Sequence, residues 1–341
     1  MKKLNIFILG KGTIGSTLAT RVREIGHSVV QISRTSYVND AGVMSEYTYS
    51  GLMKFCDDTG FAKPDILFIA IPTLDTGETA AAYIQEAHEH KVHVITCEKG
   101  SLSYHADSLL TLPWRDTTLS YTASVGGGTM MLQYMNLRVP TSRLITFEAV
   151  INGTCNFIFN QVAHSGRTLG EACDEAARLG YAEPGARDPL SLINGELKDV
   201  RMKTCVLFNT ALANKLYITP RDLGTLALNE TTLDDLSRRS STVRLVVQCS
   251  NIEQSKIAEY AGCQFVTSVD GWSIQGGFRD LQKDPELLRW LPGGVGNAIH
   301  ITEGKLGSGG KYTLTGPGAG AEATTSVMLN DMHSVVSKYF S

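Results

Sequence analysis

A glycine-rich segment near the start of the chain has the spacing needed to bind the phosphates of a dinucleotide. Gly10 to Gly15 follow the pattern G-x-G-x-x-G between an apolar segment and a segment with helical periodicity. The first glycine permits a tight turn, the second lets N–H groups approach a pyrophosphate, and the third allows close packing of helix and strand. The helix start adds unpaired N–H donors and a positive dipole end. The alternative is a glycine-rich turn without a ligand.

Arg34 follows the second predicted strand, where Rossmann-type domains usually contact the adenosine ribose. The chain has Ser33-Arg34-Thr35 there, and no acidic residue follows until Asp40. A carboxylate would accept a hydrogen bond from the 2′-hydroxyl of NAD, whereas an arginine would pair with the 2′-phosphate of NADP. Arg34 therefore favours NADP over NAD. The alternative is a solvated loop charge.

Asp199 and Lys203 are four positions apart, so they share one face of a predicted helix. The carboxylate is suited to binding an ammonium group. A partly desolvated lysine is suited to donating a proton, because burial lowers its pKa toward neutrality. Spacing alone favours the alternative, an ordinary surface ion pair worth only about 0.3–0.5 kcal/mol.

The elements that must position these residues fall into two regions. In the first, strands are predicted over 5–9, 27–33, 65–71 and 92–96, and helices over 16–25 and 77–90. Nearly continuous apolar strands that alternate with helices indicate a parallel sheet covered on both faces. From about residue 144 the pattern changes to a strand over 144–151, helices over 156–163, 169–179 and 190–213, and a β-rich stretch over 258–301. We predict a dinucleotide-binding domain over 1–135, completed by 311–341, and a second domain over 136–310.

The composition argues against several classes of protein. The 341 residues suffice for about two domains, and a net charge of −3 provides no basic field for nucleic acid. Seven scattered cysteines without a CxxC pair argue against a disulfide framework or a zinc ribbon. The first apolar run is too short for a signal peptide or a membrane span. We therefore expect a cytoplasmic protein without nucleic-acid or membrane partners.

Seven segments together resemble the homoserine dehydrogenase family. They are Val92–Gly100, Ala123–Gly128, Asn152–Ile158, Leu179–Pro184, Asp199–Lys203, Asn297–Ile299 and Gly316–Gly320. The matches occur in order from residue 6 to about residue 332. The resemblance is to a short, monofunctional form without a regulatory tail. It implies a Rossmann-type doubly wound sheet joined to a mixed α/β catalytic and dimerisation domain, and a homodimer.

The resemblance also implies an activity and a set of site residues. The reaction is the NAD(P)-dependent interconversion of L-aspartate 4-semialdehyde and L-homoserine, a step in threonine and methionine biosynthesis. Lys99 and Lys203 are the implied catalytic residues. The implied substrate-binding residues are Gly153, Thr154, Tyr181, Glu183 and Asp199. The expected cofactor-binding residues are Gly10, Gly12, Thr13, Ile14, Gly15, Arg34, Thr73, Lys99 and Gly318. A monovalent cation, if bound, would use the backbone of Val125 and Gly127.

The chain departs from the family pattern around the implied substrate pocket. Glu98 replaces an asparagine beside Lys99, and this carboxylate should raise the pKa of Lys99 if it points inward. Thr122 replaces a glutamate associated with the cation site, which makes the cation doubtful. Further departures are Thr129-Met130 in place of an apolar-Pro pair, and apparent additions at 185–187 and 196–198. Two alternatives stay open: a paralogue acting on a related small amino-acid aldehyde or oxo acid, and an inactive cofactor-binding sensor.

Overall fold

The computed structural model divides into two compact units, Met1–Ser124 with Ala321–Ser341, and Val125–Gly320. The residues that it describes are 2–74, 76–138, 144–182, 188–212, 217–224, 227–253, 260, 262–283, 285–304 and 310–340. None of the helices within these ranges is long and apolar enough to cross a membrane.

The first unit contains a seven-stranded sheet within the described residues. Its strands are β1 (Asn5–Leu9), β2 (Ser28–Ile32), β3 (Ser36–Val38), β4 (Met44–Glu46), β5 (Ile66–Ile69), β6 (His93–Thr96) and β7 (Leu119–Ser120). The helices that follow along the chain are α1 (Thr13–Glu24), α2 (Leu52–Thr59), α3 (Glu78–Glu89), α4 (Gly100–Tyr104) and α5 (Ala106–Leu110). The strand order is β4-β3-β2-β1-β5-β6-β7.

The central strands of this sheet are parallel and buried on both faces. Phe7 and Leu9 of β1 belong to one core cluster with Leu52 of α2 and Ile84 of α3. The alternate residues of β1 are equally buried. β1 lies between β2 and β5, so the strands after β1 are added first on one side of it and then on the other. The carboxyl end of β1 is therefore a topological switch point, where open α/β sheets bind their ligands. The prediction of a Rossmann-type doubly wound sheet is confirmed.

One edge of the sheet differs from the prediction of an all-parallel arrangement. β3 and β4 form an antiparallel hairpin that continues the sheet from β2. The hairpin lies over an aromatic cluster in which the rings of Tyr37 and Tyr47 meet Phe55 edge to face, with centroids 5.3 and 5.1 Å away. Strands of three residues have too little periodicity to be predicted, and aromatic packing between distant segments stabilises them.

The second unit is a six-stranded antiparallel sheet with helices, as far as the structure describes it. Its elements are α6 (Met131–Arg138), β8 (Leu144–Val150), α7 (Gly153–Ser165), α8 (Leu169–Arg178), α9 (Pro189–Ala211), α10 (Glu230–Arg238), β9 (Val243–Asn251), β10 (Gly262–Val269), β11 (Trp272–Asp280), α11 (Pro285–Trp290), β12 (Gly296–Glu303) and β13 (Gly310–Pro317). The strand order is β10-β11-β9-β8-β12-β13. This is the mixed α/β domain that was expected beside the Rossmann-type domain.

Local capping determines where the helices of the second unit begin. The Asn152 side chain accepts a hydrogen bond from the N–H of Cys155, so α7 starts at Gly153 and not at the predicted Asn156. Asp188 caps α9, which has Pro189 in its first turn.

The last helix of the chain, α12 (Ala321–Tyr339), belongs to the first unit, where it contacts α1 and β6. The unit boundaries differ from the predicted 135 and 311. The physical reason is that α6 contacts α9 and β13 pairs along its length with β12, so both belong with the second sheet.

Candidate active site

The glycine-rich turn between β1 and α1 forms an open cradle. A Cβ on Gly10, whose φ is +126°, would lie 2.2 Å from the carbonyl oxygen of Ala70. A Cβ on Gly15 would lie 2.2 Å from the carbonyl oxygen of Gly10. At Gly12, by contrast, the space around a Cβ is open to at least 4 Å. The first and third glycines are thus required by packing, and the second leaves room above the turn.

The start of α1 completes this cradle. Gly12 is its N-cap and provides no side-chain hydrogen bond, so the N–H groups of the first turn, which includes Thr13 and Ile14, have no side-chain acceptor there. Gln31 Nε2 donates to the carbonyl oxygen of Gly10 at 3.0 Å, which holds the turn against β2. An open glycine turn with uncapped helical N–H groups fits a pyrophosphate.

Arg34 lies at the tip of the turn that joins β2 to β3, and its side chain is exposed. The backbone of the turn is well held. The N–H of Ser33 donates to the carbonyl of Ser36 at 2.8 Å, and the carbonyl of Arg34 accepts from the N–H of Tyr49 at 3.0 Å. The backbone that carries the exposed Arg34 side chain is therefore held in place at the carboxyl end of β2.

Glu98 is buried and its carboxylate is fully engaged with neutral donors. It accepts hydrogen bonds from the Thr73 hydroxyl, from the N–H of Gly100, and from the N–H of Ser101 at 2.8 Å. Lys99 is the N-cap residue of α4 and is half-buried. Glu98 thus anchors Thr73 and the start of α4, which gives this departure from the family pattern a structural role.

The Asp199–Lys203 pair is largely buried. Lys203 Nζ lies 2.8 Å from Asp199 Oδ2, and the two side chains are 15% and 19% exposed. Lys203 also donates to the carbonyl oxygen of Ile151 at 3.2 Å. An exposed surface ion pair, the arrangement that spacing alone favoured, is not what the structure shows.

Two further residues belong to this cluster and were missed as site residues. Asn152 Nδ2 donates to Glu196 Oε2 at 2.6 Å and to Asp199 Oδ2 at 3.3 Å. Because Asn152 Oδ1 accepts from a backbone N–H, the orientation of its amide is determined. Glu196 precedes Asp199 by three residues and Lys203 by seven, so all three share one face of α9. That spacing was the signal available in the sequence.

The start of α7 lies beside the same charged face. A Cβ on Gly153 would lie 2.7 Å from the carbonyl oxygen of Val295, so only glycine fits there. Thr154 Oγ1 donates to the carbonyl of Tyr181 at 2.7 Å, and the Tyr181 ring packs against Phe157 with centroids 5.1 Å apart. Glu183 and the apparent addition at 185–187 lie outside the described residues.

Gly127 and Gly318 approach each other within the second unit. A Cβ on Gly127, whose φ is +53°, would lie 2.8 Å from the carbonyl oxygen of Gly318. Gly318 in turn packs against the fully buried Asn297, whose amide lies 2.3 Å from a Cβ built there. Val125 is fully buried. Within the described ranges, no group of three or more His, Cys, Asp or Glu residues is arranged to hold a metal ion.

Thr122 and Asp331 form a buried contact in the first unit. The Thr122 hydroxyl donates to Asp331 Oδ1 at 2.7 Å, and the Thr122 N–H donates to Oδ2 at 3.3 Å. Burial raises the pKa of Asp331 to about 6, although the hydrogen bonds from Thr122 oppose the shift. The residue that replaces the expected glutamate thus has a carboxylate partner from α12.

Two cysteines adjoin proposed site residues, and neither has the character of a nucleophile. Burial raises the pKa of Cys97 to about 12, and burial also raises the pKa of Cys155. Both thiols are therefore protonated at neutral pH and are inert side chains.

Comparison with known proteins identifies the relatives of this chain. The family model for homoserine dehydrogenase matches residues 131–333. An NAD(+)-dependent homoserine dehydrogenase from Pseudomonas canavaninivorans is 29% identical over 75% of this chain and 66% of its own length. A homoserine dehydrogenase from Neisseria gonorrhoeae is 26% identical over 97% of this chain and 72% of its own length. The chain therefore spans about two thirds to three quarters of these two relatives.

Solved structures share the fold. A hyperthermophilic archaeal homoserine dehydrogenase in complex with NADPH has a TM-score of 0.69 at 22% identity, covering 99% of this chain and 98% of the other. A homoserine dehydrogenase from Thiobacillus denitrificans has a TM-score of 0.71 at 21% identity, covering 98% of this chain and 73% of the other. Since the family model matches more than half of the sequence, this protein belongs to the homoserine dehydrogenase family.

Proposed function

We propose that the protein is an NAD(P)-dependent oxidoreductase that interconverts L-aspartate 4-semialdehyde and L-homoserine. The observation that carries this proposal is the buried Asp199–Lys203 pair on α9, which Asn152 joins to the carboxylate of Glu196. A carboxylate that binds an ammonium group, beside a lysine that supplies a proton, suits an amino-acid aldehyde as substrate. Membership of the homoserine dehydrogenase family supports this substrate over a related aldehyde.

Lys203 is the proposed proton donor. A nicotinamide cofactor supplies or accepts a hydride when it is bound. Reduction of the aldehyde leaves an alkoxide that needs a proton and a nearby positive charge. The Lys203 ammonium has three N–H donors, and Asp199 and the Ile151 carbonyl orient it through two of them. The remaining donor is the one we assign to the substrate oxygen.

Substrate binding is assigned to the residues around the start of α7 and the charged face of α9. Asp199 and Glu196 are assigned to the substrate ammonium group, because a carboxylate pairs with an ammonium group through charge-assisted hydrogen bonds. Gly153, Thr154, Tyr181 and Glu183 remain proposed substrate-binding residues. Lys99 remains the second proposed catalytic lysine, and the capping of α4 by Glu98 supports its fixed backbone position.

Cofactor binding is assigned to the glycine turn, Thr73, Lys99 and Gly318, with NADPH preferred over NADH. The open space at Gly12 and the uncapped start of α1 support a dinucleotide. The exposed Arg34 at the end of β2 supports the 2′-phosphate of NADP. A homodimer is also proposed, on the family resemblance, and a cytoplasmic location is proposed on the scattered cysteines without a CxxC pair.

A turnover assay tests this proposal. Purified protein should consume NADPH in the presence of L-aspartate 4-semialdehyde, and it should reduce NADP with L-homoserine in the reverse direction. Cofactor binding without turnover would indicate an inactive sensor. Faster turnover of another small amino-acid aldehyde or oxo acid would indicate a paralogue. Loss of absorbance at the nicotinamide band distinguishes these outcomes.

A further inference from the structure

Lys11 is the second residue of the glycine-rich turn, at a position where the glycine motif does not require a cation. Lys11 is half-buried, and its Nζ lies 3.2 Å from Ser36 Oγ and 3.5 Å from Met44 Sδ. Ser36 begins β3 and Met44 begins β4. The Lys11 side chain therefore extends from the turn after β1 to the hairpin beside β2.

The hydroxyl that contacts Lys11 Nζ is itself joined to a second hydroxyl. Ser36 Oγ lies 2.9 Å from Ser33 Oγ, and the N–H of Ser36 donates to Ser33 Oγ at 3.2 Å. Arg34 is exposed in the same turn. The N–H of Gly10 donates to the carbonyl of Ile32 at 2.8 Å, so the glycine turn and the turn after β2 are adjacent. Two cations and two hydroxyls thus flank the carboxyl end of β2.

The acidic residues near these cations leave the positive charge uncancelled. Asp40 accepts from the Val29 N–H at 3.0 Å and from Lys3 Nζ at 3.4 Å. Glu46 is paired opposite Ser36 in the β3–β4 ladder and is exposed. Glu86, which like Arg34 acts on the pKa of Tyr83, accepts from the N–H groups of Leu52 and Met53. With the carboxylates of Asp40 and Glu86 engaged by other donors, Glu46 opposes two cations, and their positive charge attracts an anion.

We propose that Lys11 binds the 2′-phosphate of NADP together with Arg34, and that Lys11 is a determinant of the preference for NADP over NAD. This inference rests on the proposed function, because it requires the glycine turn to hold a dinucleotide. A phosphate monoester carries a charge of about −1.5 to −2 at neutral pH, so one cation does not neutralise it. The arginine supplies a planar pair of donors, the lysine supplies a compact charge, and the serine hydroxyls supply further donors.

Ligand titration of Lys11→Met tests this inference without measuring activity. The ligands are NADPH, NADH, adenosine 2′,5′-bisphosphate and adenosine 5′-monophosphate. We expect the Kd of NADPH and of the bisphosphate to rise by about tenfold or more, as for loss of a charge-assisted contact. The Kd of NADH and of the monophosphate should change by less than about twofold. Arg34→Ala should have the same selective effect.

Lys54→Met is the matched control, because Lys54 is an exposed lysine of the same unit that pairs with Asp58 at 2.8 Å. Its four dissociation constants should equal those of the unmodified protein. Retained NADH binding by Lys11→Met shows that the variant is folded. If Lys11→Met binds no ligand, Lys11→Gln with a circular dichroism spectrum replaces it.

Three results would overturn the inference. Equal losses for all four ligands would place Lys11 at the adenosine 5′-phosphate that they share, and no loss would mean that Lys11 does not contact the cofactor. The third result is that Glu46→Gln weakens the binding of NADH only, while Lys11→Met changes no Kd. Glu46 would then be the residue that contacts the adenosine ribose. Each of these results contradicts only the role of Lys11, and the proposed function stands if the unmodified protein oxidises homoserine. If the unmodified protein turns over homoserine with neither NADP nor NAD, the proposed function is contradicted, whatever the binding data show for Lys11.

Discussion

The side chains of Asn152 and Glu196 join the start of α7 to the charged face of α9, with 2.6 Å between Nδ2 and Oε2. The same amide nitrogen lies 3.3 Å from Asp199 Oδ2. This bridge holds two carboxylates side by side in a cluster that includes Lys203. The repulsion between them is offset by the amide donor and by the Lys203 ammonium.

Replacement of Lys203 by methionine should abolish most of the turnover. The variant keeps the length and apolar stem but loses the proton and the charge, and general acid catalysis contributes about 10²–10⁴-fold. We expect kcat to fall by about that factor while the Kd of NADPH is unchanged. Lys198→Met, which alters an exposed lysine of the same helix, is the control. Retention of most of the turnover by Lys203→Met would assign proton donation to Lys99 or to a bound water.

Neutralising Glu196 should change substrate binding rather than chemistry. Glu196→Gln still accepts the hydrogen bond from Asn152 but removes one negative charge beside Asp199. The KM of homoserine should rise by about tenfold with kcat nearly unchanged, because an ammonium contact is made in the ground and transition states alike. Asp199→Asn should act in the same direction.

An alcohol without the amino group, 4-hydroxybutyrate, separates a charge effect from a structural one. Its KM should stay constant or fall in Glu196→Gln. Equal increases in KM for both alcohols would mean that Glu196 serves only to hold Asn152. Glu175→Gln on α8 is the control, since Glu175 pairs with the exposed Arg178.

The buried carboxyl of Asp331 should make the protein less stable as the pH rises. Its pKa is raised by burial to about 6 from 3.8, so the folded state favours the protonated form. Its contribution to stability is complete below about pH 4 and is lost as the pH rises through about 6. A pKa of about 6 in place of 3.8 corresponds to about 3 kcal/mol of stability.

Asp331→Asn tests that pH dependence, because asparagine cannot ionise and still offers an acceptor to the Thr122 hydroxyl. The free energy of unfolding of both proteins is measured with denaturant at pH 4 and at pH 8. The difference, variant minus unmodified protein, should be about 3 kcal/mol more positive at pH 8 than at pH 4. A difference that does not vary with pH would show that folding does not change the pKa of Asp331. The control is Asp116→Asn, at an exposed position, for which we expect no such change in the difference between pH 4 and pH 8.

Added sodium or potassium should have little effect on activity. Thr122 takes the place of the glutamate expected near the cation site, and its hydroxyl and N–H are both bound to Asp331. Initial rates at constant ionic strength, with choline as the replacement cation, check this expectation. A strong and saturable activation by either metal ion would mean that backbone carbonyls such as those of Val125 and Gly127 suffice to bind it.

The sequence by itself determined the alternation of strands and helices in the first unit and the position of the glycine turn. Both are local properties. β1 was predicted with its observed bounds, Asn5–Leu9, because a continuous apolar run between turn residues indicates a buried strand. The glycine spacing and the shared helical face of Asp199 and Lys203 also follow from short-range geometry.

Only the tertiary structure decided features that depend on contacts between distant segments. The β3–β4 hairpin, α2, α10 and β9 were not predicted, and β9 is held by pairing with both β8 and β11. The carboxylate of Glu98 turns to Thr73 and the N–H groups of α4. No periodicity in the sequence indicates that direction.

The same reason explains why three further proposed site residues were not predicted from the sequence. From the sequence, Lys11 lies in the glycine-rich turn, Asn152 in a family-like segment before the predicted helix over 156–163, and Glu196 in an apparent addition. Lys11 contacts Ser36, which is 25 residues away, and Asn152 contacts Glu196 and Asp199, which are 44 and 47 residues away. The free energy of such contacts depends on burial and on the exact separation of the charges. Both quantities are defined only in the folded structure, so the sequence alone does not reveal them.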